Sequence, residues 1–465
     1  MYAELGFPLL SVVVPPQEIV GGTLRVQVNE FNLADYHVVY GDGTGGYSAD
    51  ARHWSRPESL SAVLDPLLTE SILSKESLEN AVKFINRNPY RQARVVFEPG
   101  QERGQSTATI QIDERKPWQI EAGYNNYATK ASGTHRFSLG GNIGNLPLPD
   151  QQISWNVTVG TSLRDFQNYS LIYTVPVGAR QKVSANLNYS DTISSSIPGI
   201  NSASKTLQTS LEYDLSLADT PAFSSNLAVS ALLKRFKRAS IFGDVTVGGA
   251  SFDSAQLQVN QQFNWREKTA TNQVVLGTVQ SFSGLTARNS DEDFRTFYNS
   301  GDGRARTQQY SVNYARVQQL GPGIKSLEGW TTETQVSWQW ANRELAGSDE
   351  FSVGGPSALR AYPASAVNGD DGFYWIQLLH VKPWSLSGGR ETLGVRQIAI
   401  SPLFEAAWTR YEKGGHEHVW DAGLQVQVGA AHSFSVSVSL AFAGRAVGEV
   451  KRGAARAFVG AHWSY

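Results

Sequence analysis

Between residues 433 and 442 the chain reads Ser-Phe-Ser-Val-Ser-Val-Ser-Leu-Ala-Phe, a near-strict alternation of polar and apolar positions. The same period of two runs through Ile153, Trp155, Val157 and Val159, set between Ser154, Asn156 and Thr158. It recurs through Val183, Ala185, Leu187 and Tyr189, set between Ser184, Asn186 and Asn188. Successive side chains of a strand point to opposite faces, so each segment is a strand with one apolar and one polar face. Strands of a soluble sandwich are short, about five or six residues. Here the segments run to about ten or more and are rich in Trp and Tyr, the pattern of strands with lipid on one side and water on the other.

From Lys116-Pro117-Trp118 onward every element reads as a strand. About 16 spans are found, from 119–127 to 456–465, and an even number suits a closed up-and-down barrel. The connections sort by parity. Every second one is mostly short and carries breakers, as at Leu146-Pro147-Leu148-Pro149-Asp150, Asp219-Thr220-Pro221 and Gly321-Pro322-Gly323, whereas several of the others are long and polar, such as 284–305. Short turns face the periplasm and long loops face outside in such barrels. The expected fold class is therefore an all-β transmembrane barrel of about 16 antiparallel strands over 117–465.

The first quarter of the chain differs. A strand pair is expected within 11–30. A strand at Tyr36-His37-Val38-Val39-Tyr40 follows, then helices over 57–69 and 74–87 and two further strands over 94–112. Ser74 is placed to cap the second helix, and Leu78, Ala81, Val82 and Ile85 share one of its faces. This order predicts a small α+β domain over 35–116.

Before the twelfth strand lies a long loop, 343–371, too rich in Gly and Pro to be a strand. It contains Gly354-Gly355-Pro356-Ser357-Ala358-Leu359-Arg360-Ala361-Tyr362-Pro363 and the turn-rich run Asn368-Gly369-Asp370-Asp371-Gly372. Loops longer than about 12 to 15 residues in a compact fold usually have a function. By parity this is the sixth external loop. A guanidinium on a loop threaded into a pore needs a carboxylate to hold it in register, and Arg with an acid forms a bidentate, charge-assisted pair.

Composition narrows the chemistry. The net charge of −2 and pI near 6.5 supply no basic surface for nucleic acid. There is no Cys, which excludes disulfides and thiolate metal sites. No run of 18 apolar residues exists, so no membrane helix is expected, and Met1-Tyr2-Ala3-Glu4 lacks the regions of a signal peptide. Gly41-Asp42-Gly43-Thr44-Gly45-Gly46 lacks the Lys-Ser/Thr of a phosphate loop. His416 and His418 lack further ligands in their neighbourhood. No hydrolase elbow, zincin or Walker motif occurs, so neither an enzyme nor a cofactor or metal site is expected.

The chain resembles the TpsB transporters of two-partner secretion, of the ShlB/FhaC/HecB haemolysin secretion/activation type. Leu359-Arg360-Ala361-Tyr362 stands where that family carries Val-Arg-Gly-Tyr/Phe on its sixth loop, with Ala361 in place of the usual Gly. Leu403-Phe404-Glu405-Ala406-Ala407 stands where it carries Phe-x-Asp-x-Gly, all three defining positions differing while Glu405 keeps the charge. An alternative registration puts Ala406 at the acid position and leaves Arg360 without a partner. Asn80 to Pro89 and Phe97 to Ile112 resemble the second POTRA domain, and Pro15 to Val28 the end of the first.

This resemblance implies a periplasmic POTRA domain and a barrel in the bacterial outer membrane. It also implies a loop lock of Arg360, Tyr362 and Glu405 with Gly354 and Gly355. A partner-binding groove would involve Leu78, Val82, Ile85 and Val96, and the ending Trp463-Ser464-Tyr465 would serve as a barrel-assembly signal. The implied partners are a secreted TpsA-type exoprotein, outer-membrane lipid and, during biogenesis, the barrel assembly machinery. Residues 1–34 are expected to be a remnant of a first POTRA domain, with the family's N-terminal plug helix missing. An insertase of the same superfamily and a passive porin remain as alternative readings.

Overall fold

The computed structural model describes residues 10–465 except 18–21, 23, 72, 103, 198–199, 244, 302, 386–394, 413 and 431–432. The opening Met1-Tyr2-Ala3-Glu4, Thr23 and the start of the span expected at 393–411 lie outside the described residues. Contacts divide the chain into two compact units. One holds the residues up to Trp118 with the turns 142–153 and 174–182, and the other holds the remainder.

In the first unit Leu10–Val13 pairs antiparallel with Gln27–Glu30. A four-stranded sheet follows in the spatial order Tyr47–Ser48, Asn32–Gly41, Gln105–Glu114, Arg91–Pro99, its two central strands parallel. Parallel neighbours need a crossover, which two helices supply. The helix expected over 57–69 is broken: Pro57–Leu64 is α-helical, and Asp65–Thr69 tightens to a 3-10 turn. Pro66 has no N–H to continue the α ladder. The second helix, Lys75–Asn86, begins where Ser74 Oγ accepts from Ser77 N at 3.0 Å. Leu60, Leu64, Leu73, Ala81 and Ile85 close over Ala93, Ile110 and Ile112 of the sheet to form a dry core. Asp42 accepts from the backbone N–H of Thr44 and Gly46, so the Gly-rich stretch is a turn folded on its own carboxylate.

In the second unit sixteen strands close into an antiparallel barrel. The first is Trp118–Asn125 and the last, Ala455–Ser464, which pairs with it to shut the cylinder. Alternation sorts the two faces. Phe434, Val438, Leu440 and Phe442 are exposed on the outer face, while Ser439, Ala441 and Ala443 between them are buried. The inner wall is mostly polar, with contacts such as Asn186 to Ser210 at 3.0 Å and Ser337 to Asn313 at 2.6 Å. Closure leaves the sheet without a free edge, as a bilayer requires. The loop 284–305 contains a helix, Asp291–Tyr298, that strand-centred reading overlooks. Ser290 and Asp293 form a capping box, and Phe294 and Phe297 pack on Phe236 of the seventh strand, Phe223–Phe242, and Phe252 of the eighth, Val245–Arg266.

Candidate functional site

The loop between the eleventh strand, Thr331–Ala341, and the twelfth, Asp371–His380, folds back against the inner wall. Its root is tied by two adjacent acids. Asp371 accepts from Ala341 N at 2.9 Å and pairs with Arg410. Asp370 accepts from Leu345 N at 2.7 Å and Glu412 N at 2.9 Å. A short hairpin of Phe351–Val353 with Val367–Gly369 carries the chain inward. At its tip Gly354 and Gly355 have φ of 121° and 94°, and a Cβ on Gly354 would lie 2.1 Å from the carbonyl oxygen of Pro363. Only glycine permits that closure. Hydrogen bonds from Gly355 N to Tyr362 O and from Tyr362 N to Leu359 O, both 3.0 Å, complete a compact turn.

That turn presents Arg360 to the wall. Its guanidinium bonds to Glu405 Oε1, and its backbone N donates to Glu405 Oε2 at 2.7 Å. The Glu405 side chain is fully buried and that of Arg360 is 12% exposed, so water does not screen the pair. Glu405 lies on the thirteenth strand, Val395–Arg410. Its direct cross-strand neighbour on the fourteenth, His416–Ala430, is Asp421. Asp421 is buried and accepts from Ala361 N at 2.7 Å. Two acids therefore hold one guanidinium and two loop amides.

Apolar contacts seat the rest of the turn. Tyr362 is fully buried, its hydroxyl 2.8 Å from Arg445 O and 3.1 Å from Trp420 O. Leu359, Ala361 and Tyr362 pack on Ala407, Val419, Ala441 and Ala443, and Ala358 packs on Ile376, Leu378 and Leu403. Around the two acids, the inner wall is apolar where it meets this turn. Ala361 tolerates its methyl because the left-handed conformation falls on Leu359, at φ 61°. That conformation is unfavourable for Leu and is offset by complete burial of its side chain.

Among the residues expected at functional positions, Arg360, Tyr362, Glu405, Gly354 and Gly355 come together here. In the registration observed, Glu405 faces the loop and Phe404 faces outward, 37% exposed. The expected groove needs correction. Ile85 is fully buried in the core of the α+β unit and is not part of an accessible groove. Val96 is 41% exposed, but strand alternation places it opposite Val95 and Phe97, which pack on the core beneath the helices. Leu78 packs partly on the core, and Val82 is half-buried on the helix. Trp463 and Tyr465 stack at 6.3 Å on the closing strand, where Tyr465 N donates to Ile120 O at 2.9 Å.

Three groups are not among the expected site residues: Asp421, the Asp370-Asp371 pair of the turn-rich run, and His380 between Ser401 and Glu333. His380 Nδ1 lies 2.8 Å from Ser401 Oγ and its Nε2 lies 3.0 Å from Glu333 Oε2. This order resembles a nucleophile, a base and an acid. Ser401 sits within a strand paired to Gln425, however, where the ladder uses the backbone N–H groups an oxyanion would need.

The family model for haemolysin secretion/activation protein ShlB/FhaC/HecB matches residues 104–395. The chain belongs to this family. It is 20% identical over 409 residues to the outer membrane transporter CdiB of Dickeya dadantii, covering 83% of this chain and 65% of that protein. The chain thus spans just under two thirds of that relative's length. In fold it is similar to CdiB from Escherichia coli, with a TM-score of 0.77 at 16% identity over 100% of this chain and 82% of that one. CdiB from Acinetobacter baumannii gives 0.73 at 13% identity over 100% and 80%. BamA from Haemophilus ducreyi lacking POTRA domains 1–3 gives 0.56 at 12% identity over 99% and 91%. Membership of this family places the barrel in the outer membrane.

Proposed function

We propose that this TpsB chain is a pore that takes an unfolded partner exoprotein from the periplasm and passes it through the barrel, without nucleotide hydrolysis. The observation that supports this most is the sixth loop seated on the inner wall by Arg360 against Glu405 and Asp421. A barrel of this size encloses a channel, so something must fill it when no cargo is present. The lock would hold the loop in place at rest and release it when a polypeptide enters.

Recognition is assigned to the α+β unit. Arg91–Pro99 is an edge strand of its sheet, and an extended segment of cargo would add to that edge beside the helix bearing Val82. Cargo folding outside the cell would supply the driving force. Val82→Glu should abolish capture of the exoprotein, and intact capture would remove the groove from the reading.

Single-channel conductance of the refolded chain tests the lock, measured beside Arg360→Ala, Glu405→Ala and the double variant. The expected result is similar altered gating in both single variants, with little added by the double. Four matching traces would favour a passive pore. Pull-down separates secretion from insertion: one large exoprotein supports the proposal, and a spread of barrel precursors supports an insertase.

A further inference from the structure

On the outer wall of the barrel, at its external end, a pocket of about 460 Å³ is lined by Arg304, Arg306 and Arg343 with Gln308 and Asn342. It lies where the fifth and sixth external loops join the tenth and eleventh strands, Gln308–Gln319 and Thr331–Ala341. Strand register fixes which way it faces. Gln308 N donates to Asn342 Oδ1 at 2.8 Å, and the next pair along the same face is Tyr310 with Trp340. These rings stack at 5.7 Å and are each 39% exposed, and Trp338 and Leu276 continue the same exposed face. The alternate residues point the other way: Gln339 Nε2 reaches the sixth loop at Asp349 O and Asp370 O. The aromatic face is therefore turned to lipid, and its rings mark the membrane–water interface. The three arginines stand immediately beyond that belt, at the depth of lipid headgroups.

The arginines are also positioned. Ala305 and Thr307 are buried, so alternation turns Arg304 and Arg306 outward. Ala305 N donates to Asp291 Oδ1 at 3.0 Å and Ser281 N to Thr307 O at 2.9 Å, which pins the segment. Among the described residues one acid lines the pocket: Asp291, 3.4 Å from Arg304. Among the described residues neither Arg306 nor Arg343 has an ion-pair or hydrogen-bond partner. Two uncompensated guanidinia beside amide side chains, just outside an aromatic belt, suit a tetrahedral dianion carried on a membrane lipid.

We propose that this pocket binds a phosphate group on a glycolipid of the outer leaflet, of the phosphorylated lipid A class, and so anchors the fifth and sixth external loops to the membrane surface. The test places the full chain in phosphatidylcholine nanodiscs and measures retained lipid by native mass spectrometry. The additives are diphosphoryl lipid A, the same lipid with its phosphates removed, and inorganic phosphate as competitor. Preferential retention of the phosphorylated lipid, by about tenfold or more, is expected. Arg306→Gln with Arg343→Gln should remove that preference while the barrel still shows heat-modifiable migration. Equal retention of both lipids by the unaltered chain would overturn the proposal and needs no variant. Full retention by the double variant would overturn it as well. Displacement by inorganic phosphate at concentrations equal to the lipid's would also overturn it, because the pocket would then be a site for free anions.

Discussion

Two arginines of this chain are buried against carboxylates, in surroundings of opposite character. In the α+β unit the side chains of Arg91 and Asp150 are 2% and 8% exposed and meet at 2.8 Å. Arg91 also donates to Ile85 O at 2.6 Å and Ser55 Oγ at 3.1 Å, and Asn88 reaches Asp150 at 3.1 Å. One cation meets one acid, and neutral acceptors take two further donors, while Nη2 of Arg91 is buried without a partner. At the inner wall, Arg360 meets Glu405 with Asp421 directly alongside, so the wall without its loop holds two adjacent buried acids. The first pair is balanced, one cation to one acid, with both side chains buried. The second is an acidic socket satisfied by a residue on a loop. A buried pair can thus fasten a fold permanently or make one segment's position conditional, according to which side carries the surplus charge.

The largest effect is expected from Arg360→Ala. Removing one partner of a desolvated pair costs about 3 to 5 kcal/mol, and the second acid puts this site at the upper end. At 1.4 kcal/mol per decade, the seated loop should lose about three to four orders of magnitude in population. Protease cleavage within 351–369 should then appear, with conductance altered in parallel. Adding Asp421→Asn to Arg360→Ala should restore part of the seated population. No restoration would mean that surplus acid is not what makes this pair conditional.

Next in size is Arg91→Ala, at about 3 kcal/mol against the α+β unit. It should raise amide hydrogen exchange across Lys75–Asn86 and leave conductance unchanged. If its conductance instead matches that of Arg360→Ala, the two pairs are not independent and the comparison fails.

How much of this was legible in the sequence follows from which interactions have a period. Lipid outside and water inside impose alternation on every strand, so the barrel, its sixteen strands and the sixth loop could be read directly from residues such as Ser433 to Phe442. Glu405 and Arg360 were found through motif positions. Asp421 was missed because its closeness to Glu405 depends on strand register, which spacing along the chain does not state. The same gap explains Ile85 and Val96. Helical period identifies an apolar face without saying which part the sheet covers, and Val96 follows the alternation of its strand, away from the helices on which Val95 and Phe97 pack. The helix Asp291–Tyr298 has only eight residues, too few for periodicity to stand out from a polar loop.

Tyr362→Phe should have a smaller effect, about 1 to 2 kcal/mol, because it leaves the packing and deletes only the hydroxyl between Trp420 O, Arg445 O and Arg445 N. Cleavage of the loop should rise by about tenfold, well short of Arg360→Ala. Equality between them would place the strength of the seat in the tyrosine and leave the acid socket a minor part.

The smallest effect concerns the root of the loop and its dependence on pH. Burial pushes the carboxyl of Glu350 up to about 7, and the nearby charges of Asp370 and Glu344 act in the same direction. A carboxyl raised in the folded state favours folding in its neutral form, so its contribution is complete below the ordinary glutamate range. That contribution is lost as pH rises through about 7. The outer part of the loop should therefore be most firmly held in mild acid and loosen toward neutrality, the reverse of what ionising a salt-bridged acid would do. Conductance recorded from pH 4 to 8 should show more frequent openings toward the upper end, and Glu350→Gln should flatten that trend. Unlike Glu405, which pairs with Arg360, Glu350 lies near the acids Asp370 and Glu344, so a rising trend that survives Glu350→Gln would move the pH dependence to the acid socket itself.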